Sequence, residues 1–275
     1  MTPKEEPRLR TPSGARPVKI ITRHVDKVYP SPRGPVTALQ DFSLDVAEGE
    51  FVCVVGPSGC GKSTYLRILA GLDSHTGGTV EIRLGADPTK PLNSVVFQEY
   101  AVFPWKTVIE NVAFGLQMRG VSKAERLAVA EGWLERVGLR KFASYYPHQI
   151  SGGMKQRVSI VRALANDPEV LLMDEPLGAL DAQTRMVLQD ELLRIWEGTG
   201  KTVVYITHSL DEAILLGDRV VLMTAHPGRH LATFEIDLPR PRTVETMNTA
   251  KFAELRGAIW EQLASEVTRA MEMQE

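Results

Sequence analysis

The feature that most constrains the fold is a glycine-rich loop between a predicted strand and a predicted helix. The apolar run at residues 51–55 predicts a buried strand, and a helical pattern begins near residue 62. A glycine-rich turn that merely ends in Lys-Ser is disfavoured, because strand and helix flank the segment in the order that a phosphate-binding loop needs. The loop residues are Gly56, Pro57, Ser58, Gly59, Cys60, Gly61, Lys62, Ser63 and Thr64.

Physical chemistry suggests how this loop would bind an anion. The glycines let the backbone curl so that several N–H groups point inward, and the helix N-terminus adds its positive dipole end. Lys62 is then placed for β- and γ-phosphates, and the Ser63 hydroxyl for Mg²⁺. Cys60 lies near Lys62 and a helix N-terminus, which favours its thiolate. Alkylation of Cys60 is therefore expected to inactivate the protein, and bound nucleotide to protect it.

Composition excludes several classes of protein. The 275 residues are 43% hydrophobic and 24% charged, as in soluble globular proteins. A net charge of −2 gives no overall basic field for nucleic acid or anionic lipid. Two cysteines make no disulfide framework and suggest a reducing, cytosolic setting. No apolar run approaches the ~20 residues of a bilayer span, and residues 1–17 are expected to be a disordered tail, not a signal peptide.

The order of predicted elements indicates an α/β fold. Strands that alternate with helices imply a parallel sheet with covered faces. Residues 100–165 are expected to be a helical insertion, and the apolar spacing after residue 252 predicts a C-terminal helix. Strands are predicted at residues 18–28, 42–46, 51–55, 79–84, 94–97, 170–173, 202–206 and 219–223. Helices are predicted at residues 62–71, 107–137, 152–165, 182–196 and 210–216.

Two carboxylates follow the apolar strand at residues 170–173. They are expected at the carboxyl end of the sheet, where ligands of α/β proteins bind. Asp174 is suited to a Mg²⁺ shell, and Glu175 to polarising an attacking water. The alternative is a strand followed by an ordinary acidic turn, which would be preferred without the phosphate loop upstream.

A second anion-binding surface is predicted at Ser151, Gly152 and Gly153, directly before a helix. The alternative is that Ser151 is simply an N-cap with the glycines in the turn. One chain does not need two γ-phosphate cradles for one nucleotide. Two chains packed head to tail do, because each supplies the phosphate loop for one nucleotide and this surface for the other.

With these motifs the chain resembles the ATP-binding cassette (ABC) family over about residues 18–242. The resemblance implies that Gln98 ligates Mg²⁺ and senses a membrane subunit, that Asp181 bridges two monomers and that His208 contacts the γ-phosphate. Tyr29 occupies the place of the aromatic that stacks on adenine. Taken alone, a His or Tyr at a strand end is more often structural, so these roles depend on the complete series of motifs.

The resemblance also implies the architecture. We expect a P-loop NTPase fold with a mostly parallel, RecA-like sheet, an N-terminal antiparallel β subdomain and an inserted helical subdomain at about residues 100–165. The implied organisation is a tail at 1–17, an ABC ATPase domain at 18–242 and a C-terminal helical extension at 243–275. The implied cofactors are ATP and Mg²⁺.

A narrower likeness, to the nitrate, sulfonate and taurine importer branch, is carried by residues 98–105, 108–116, 154–155, 227–229 and 238–242. It implies a peripheral subunit on the cytoplasmic face of the cell membrane. The implied partners are a second ATPase subunit, two transmembrane permease subunits and an extracytoplasmic solute-binding protein that acts indirectly, without nucleic acid. Phe103 and Trp105 are either core aromatics or contacts to a permease helix.

There are two alternatives to an importer of this branch. A soluble cassette ATPase acting on ribosomes or DNA would carry either two cassettes or a long coiled coil, and neither pattern is present. A cassette serving an exporter or another importer branch is not excluded. The solute is not encoded in this sequence.

Overall fold

In a computed structural model that describes residues 16–32 and 34–272, the described part of the chain contains two β-sheets and seven α-helices. The predicted N-terminal tail falls mainly on residues 1–15, outside the described residues. The strands are β1 (Val18–Tyr29), β2 (Val36–Ala47), β3 (Phe51–Val55), β4 (Gly77–Ile82), β5 (Asn93–Val96), β6 (Val170–Asp174), β7 (Thr202–Thr207), β8 (Arg219–Met223) and β9 (His230–Glu235). The helices are α1 (Lys62–Leu69), α2 (Val108–Met118), α3 (Lys123–Arg136), α4 (Gly152–Ala165), α5 (Ala182–Thr199), α6 (Leu210–Leu216) and α7 (Ala250–Glu272).

The larger sheet is the predicted parallel core. Its strand order is β5-β6-β7-β3-β8-β9, and only β9, which pairs with β8, is antiparallel. All five residues of β3 are buried, because both faces of this central strand are covered. The smaller sheet, β2-β1-β4, is antiparallel. The α/β class with an N-terminal antiparallel sheet is confirmed.

The helical insertion has a core of its own. Helices α2, α3 and α4 bury an apolar cluster that includes Val112, Leu134 and Val161. The helical stretch predicted at residues 107–137 is divided into two helices, with Gly120 at φ 77° between them. Helix α2 begins at a capping box, in which the Thr107 and Glu110 side chains satisfy each other's backbone N–H groups.

The C-terminal helix packs on the core instead of standing free. On α7, Phe252, Ile259 and Leu263 are buried in the same apolar cluster as Leu216 and Leu238. Within residues 16–32 and 34–272, no helix combines the length and the apolarity that crossing a bilayer would require.

A buried arginine between α6 and α7 caps the C-terminal end of α6. The Arg242 guanidinium donates to the backbone carbonyls of Ile214 at 3.0 Å and Gly217 at 2.6 Å, and also to those of Ile236 and Leu238. Burial lowers the pKa of Arg242 to about 10. Carbonyl groups at a helix end have no intrahelical partner, so Arg242 satisfies groups that would otherwise be buried alone.

Candidate functional site

Three motifs meet at the carboxyl edge of the parallel sheet because β6, β7 and β3 are adjacent. The phosphate loop follows β3, Glu175 follows β6, and His208 follows β7. Parallel strands bring residues that are more than 100 positions apart in sequence to one edge, where ligands of α/β folds bind.

The phosphate loop curls around the Lys62 ammonium. Gly59 and Gly61 have φ values of 76° and 103°, a region that glycine enters without a steric penalty. Gly56 has a different requirement, because a Cβ there would lie 2.8 Å from the Cys60 sulfur. Lys62 is only 5% exposed, and its Nζ donates to the carbonyl oxygens of Gly56 at 2.8 Å and Pro57 at 2.9 Å. The cation is therefore held within the curve of the loop.

Two oxygen ligands suited to Mg²⁺ lie together at this edge. The Ser63 hydroxyl donates to Asp174 Oδ1 over 2.9 Å. Burial raises the pKa of Asp174, while the bond from Ser63 opposes that shift. Mg²⁺ is usually bound by one or two carboxylates together with substrate phosphates and water, so a hydroxyl beside a carboxylate at this edge fits that ion. Among the described residues there is no cluster of three His, Cys, Asp or Glu side chains that would hold a metal without the nucleotide.

The structure brings Glu175 and His208 into contact. Glu175 Oε2 and His208 Nδ1 are 3.0 Å apart. Glu175 has φ 42°, an unusual conformation for a residue with a side chain. Its backbone N–H donates to the Ile206 carbonyl at 2.9 Å, and its carbonyl accepts from Gly178 N at 3.0 Å. These bonds hold the strained backbone that presents the carboxylate beside His208.

A buried polar group next to His208 was not predicted from the sequence. Thr207 Oγ1 donates to Glu212 Oε2 at 2.8 Å and accepts from Ser209 N at 3.0 Å, which fixes the chain on both sides of His208. Tyr205 donates to the same Glu212 oxygen at 3.1 Å. The Ser-x-x-Glu spacing of Ser209 and Glu212 is a capping signal that could have drawn attention to Glu212. The burial of Glu212 depends on its packing against β7 and cannot be predicted from the residues around it in sequence.

The segment that follows Gln98 is attached to the helical insertion. Gln98 itself is exposed, two residues beyond the end of β5. Arg162 on α4 donates to the Ala101 carbonyl at 2.7 Å, and a Cβ on Gly152 would lie 2.7 Å from the Tyr100 hydroxyl oxygen. Both ends of α4 therefore contact the segment that connects the sheet to the insertion.

Two further predicted site residues are helix caps within this chain. Ser151 is the N-cap of α4 and accepts from Met154 N at 3.3 Å. Asp181 is the N-cap of α5 and accepts from Thr184 N at 3.0 Å, and this bond lowers the pKa of Asp181. The N-cap interpretation of Ser151 thus holds, and a contact of either residue with a second chain stays a prediction.

Tyr29 ends β1 with its hydroxyl bound to a carboxylate. The hydroxyl donates to Asp73 Oδ2 at 2.5 Å, and Lys27 Nζ lies 4.6 Å from the ring centroid. Stacking of this ring on adenine stays a prediction.

The prediction that Cys60 carries an accessible thiolate is wrong. Cys60 is fully buried, and burial raises its pKa more than the nearby Lys62 lowers it. The sulfur points into the protein, where it limits the space at Gly56. Cys53 is also free and buried, and burial raises its pKa as well.

We expect neither thiol of the native protein to react rapidly. The thiolate is the reactive form, and a raised pKa lowers its fraction at neutral pH. Titration with a chromogenic disulfide should detect almost no thiol in native protein and two per chain in denaturant. Cys60→Ala should leave the native rate unchanged. Rapid reaction of one thiol per chain, abolished by Cys60→Ala, would show that the loop opens freely.

Comparisons with known proteins identify the family of this chain. Residues 39–178 match the ABC transporter family, a span that contains the phosphate loop, Ser151 and the Asp174–Glu175 pair. The chain therefore belongs to the ATP-binding cassette family. Members bind and hydrolyse ATP, and this protein is an ABC-type ATPase.

Relatives with assigned transport roles cover most of the chain. A bicarbonate transport ATP-binding protein of Synechocystis sp. is 48% identical over 84% of this chain and 84% of its own length. A nitrate import ATP-binding protein of Synechococcus elongatus is 45% identical over 89% and 92%. A taurine import ATP-binding protein of Burkholderia pseudomallei is 47% identical over 90% and 98%.

A solved ATP-binding cassette has the same fold. Described as a dimeric post-hydrolysis state bound to ADP and Pi, it is 34% identical and superposes with a TM-score of 0.70. The match covers 80% of this chain and all of that one.

Proposed function

We propose that this protein is the ATP-hydrolysing subunit of an importer for a small anion or organic solute of the nitrate, sulfonate or taurine type. The observation that carries the proposal is the 45–48% identity to bicarbonate, nitrate and taurine transport subunits over 84–90% of the chain. The subunit is peripheral to the membrane at its cytoplasmic face, and energy from ATP drives uptake through other chains.

The residues at the sheet edge have separate roles in this proposal. Lys62 and the backbone of the phosphate loop bind the β- and γ-phosphates. Ser63 and Asp174 would hold Mg²⁺ with Gln98, and the ion would neutralise charge on the transferring phosphoryl group. Glu175 polarises the attacking water, and His208 contacts the γ-phosphate. Catalysis comes from positioning and electrostatic stabilisation, without a covalent intermediate.

The complete site would need a second copy of the chain. Ser151, Gly152 and Gly153 at the start of α4 would face the nucleotide held by the partner's phosphate loop, and Asp181 would lie across the interface. The dimeric state of the cassette with 34% identity supports this arrangement. ATP would therefore close two subunits around two nucleotides, and hydrolysis would let them reopen.

The helical insertion is the proposed contact to two transmembrane permease subunits. Trp105 is 71% exposed on the segment after Gln98, and Met118 at the end of α2 is 64% exposed. Phe103 is partly buried against Phe114, with ring centroids 4.5 Å apart. Phe103 would thus support the surface and Trp105 would make the contact. An extracytoplasmic binding protein would act only through the permease.

The domain organisation is part of the same proposal. Residues 18–242 would be the ATPase domain, with the helical subdomain at about 100–165, between a tail at 1–17 and an extension at 243–275. The cluster of apolar residues shared by α2, α3 and α4 supports the helical subdomain as a separate unit.

Deletion of the gene in its host tests the importer assignment. The deletion strain should fail to grow on nitrate as sole nitrogen source or on taurine as sole sulfur source. The wild-type gene should restore growth, and a Glu175→Gln allele should not. Growth on both nutrients, together with no integral membrane subunit co-purifying with the tagged chain, would contradict the proposal.

A further inference from the structure

The loop between β8 and β9 forms a wall against the phosphate loop. We call residues 224–229 the buttress loop. A Cβ on Gly228 would overlap the Cys60 carbonyl oxygen and lie 2.6 Å from Met223 Cε. Only a residue without a side chain permits so close an approach of two backbones. The phosphate loop therefore rests directly on the backbone of the buttress loop.

Strand β2 completes this wall. Gly228 N donates to the Ala38 carbonyl at 3.0 Å, and Gln40 N donates to the Gly228 carbonyl at 3.0 Å. The same Ala38 oxygen lies 2.6 Å from the position that a Cβ on Gly61 would take. Ala38 and Gly228 are thus bonded to each other, and they contact Gly61 and Cys60, the two residues immediately before Lys62.

Short-range hydrogen bonds make the buttress loop rigid. Thr224 Oγ1 donates to the Pro227 carbonyl at 2.9 Å and accepts from Arg229 N at 3.0 Å. The Arg229 guanidinium donates to Gln40 Oε1 at 2.5 Å, which ties the loop to β2 a second time. A displacement of the loop would therefore be transmitted to β2 and to the phosphate loop together.

Helix α7 reaches the buttress loop through one carboxylate. Glu266 Oε2 accepts a hydrogen bond of 2.6 Å from the backbone N–H of Ala225, a residue only 2% exposed. Ile259 and Leu263 anchor the same helix in the core. A buried N–H without a partner is costly, so Glu266 satisfies a group that little else can reach.

We infer that the buttress loop sets the shape of the phosphate loop, and that α7 influences nucleotide binding through Glu266. Glu266 is a positioning residue, because it acts on ATP through the buttress loop without touching it. This gives the C-terminal helix a role in the ATPase cycle. The inference rests on the proposed placement of ATP in the phosphate loop, whose N–H groups must converge on the phosphates in order to bind them.

The first test is Gly228→Ala in the full-length chain. We expect the affinity for ATP·Mg²⁺, measured by calorimetric titration, to fall by about tenfold or more, since the new methyl group displaces the phosphate loop and weakens its hydrogen bonds to the charged phosphates. Gly257→Ala on the exposed face of α7, where a Cβ meets nothing within 4 Å, is the matched control. Adding Met223→Leu to Gly228→Ala should not restore binding, because the main overlap is with backbone. Wild-type affinity in Gly228→Ala, or restoration by Met223→Leu, would overturn the inference.

The second test compares the ATP affinities of Glu266→Ala and Glu266→Gln. It tests the inference on its own if Gly228→Ala does not fold. Glu266→Ala should weaken ATP binding by about three- to tenfold, whereas Glu266→Gln keeps an acceptor oxygen and should stay within about twofold of wild type. A purely structural role would lower the melting temperature without changing the affinity of folded protein, and that result would overturn the inference. Lys62→Ala tests the premise that ATP binds in the phosphate loop. If ATP binds elsewhere, its affinity will be unchanged in Lys62→Ala as well as in the Gly228 and Glu266 variants.

Discussion

Replacing Glu175 with Gln should leave ATP binding within about twofold of wild type and slow hydrolysis by about 100-fold or more, the usual contribution of a positioned general base. An amide oxygen can still accept a hydrogen bond from His208 Nδ1, which lies 3.0 Å from Glu175 Oε2, so the local structure should survive. The amide cannot accept a proton from the attacking water. Phosphate release measured in single-turnover and steady-state experiments checks the rate, and calorimetric titration checks the affinity.

Glu235→Gln supplies a matched control for this change. It is the same Glu-to-Gln substitution at the exposed end of β9, outside the site. It should hydrolyse ATP at the wild-type rate. Turnover in Glu175→Gln close to that of Glu235→Gln would contradict the role assigned to Glu175.

Replacing Lys62 with Ala should reduce the affinity for ATP·Mg²⁺ by about 100-fold or more, since each hydrogen bond to a charged group is worth roughly 1.5–3 kcal/mol. The buried ammonium also holds the Gly56 and Pro57 carbonyls at 2.8 and 2.9 Å, so its loss would loosen the loop as well. Both effects act in the same direction. Titration of the variant with ATP in the presence and absence of Mg²⁺ measures the loss.

Two further variants show which effect dominates at Lys62. Lys251→Ala, at an exposed position on α7, controls for the loss of one positive charge and should bind ATP normally. Lys62→Met retains the length of the side chain without its charge. Affinity near wild type in Lys62→Met would mean that the ammonium does not bind phosphate, and the placement of ATP in this loop would then be wrong.

The sequence predicted the order of most elements because the parallel strands are short, apolar runs bounded by glycine, proline or polar residues. The predicted bounds of α4, α6 and β8 coincide with those observed. Strand β9 was missed because its residues are mostly half-buried and its apolar alternation is weak. The division between α2 and α3 could have been predicted from Gly120, which lies between the two helices at positive φ.

The sequence suggested candidate residues for the site, but it could not show which of them lie in contact. Local sequence places Asp174 and Glu175 at a strand end, but the contact of Glu175 with His208 depends on the pairing of β6 with β7. Cys60 was misjudged for a related reason. Its side chain is buried in an apolar cluster with Val221 and Met223, which are more than 160 residues away in sequence and which no local pattern connects to the phosphate loop.

The central claim is that ATP joins two copies of this chain through the phosphate loop of one and the start of α4 of the other. Light scattering on Glu175→Gln, with and without ATP·Mg²⁺, tests it most directly. We predict a change from the mass of one chain to that of two when ATP is added. The double variant with Ser151→Arg should stay at the mass of one chain, whereas Ser122→Arg, which alters the equivalent N-cap of α3, should still allow dimers. A mass that does not respond to ATP, or dimers that form equally well with Ser151→Arg, would contradict the claim.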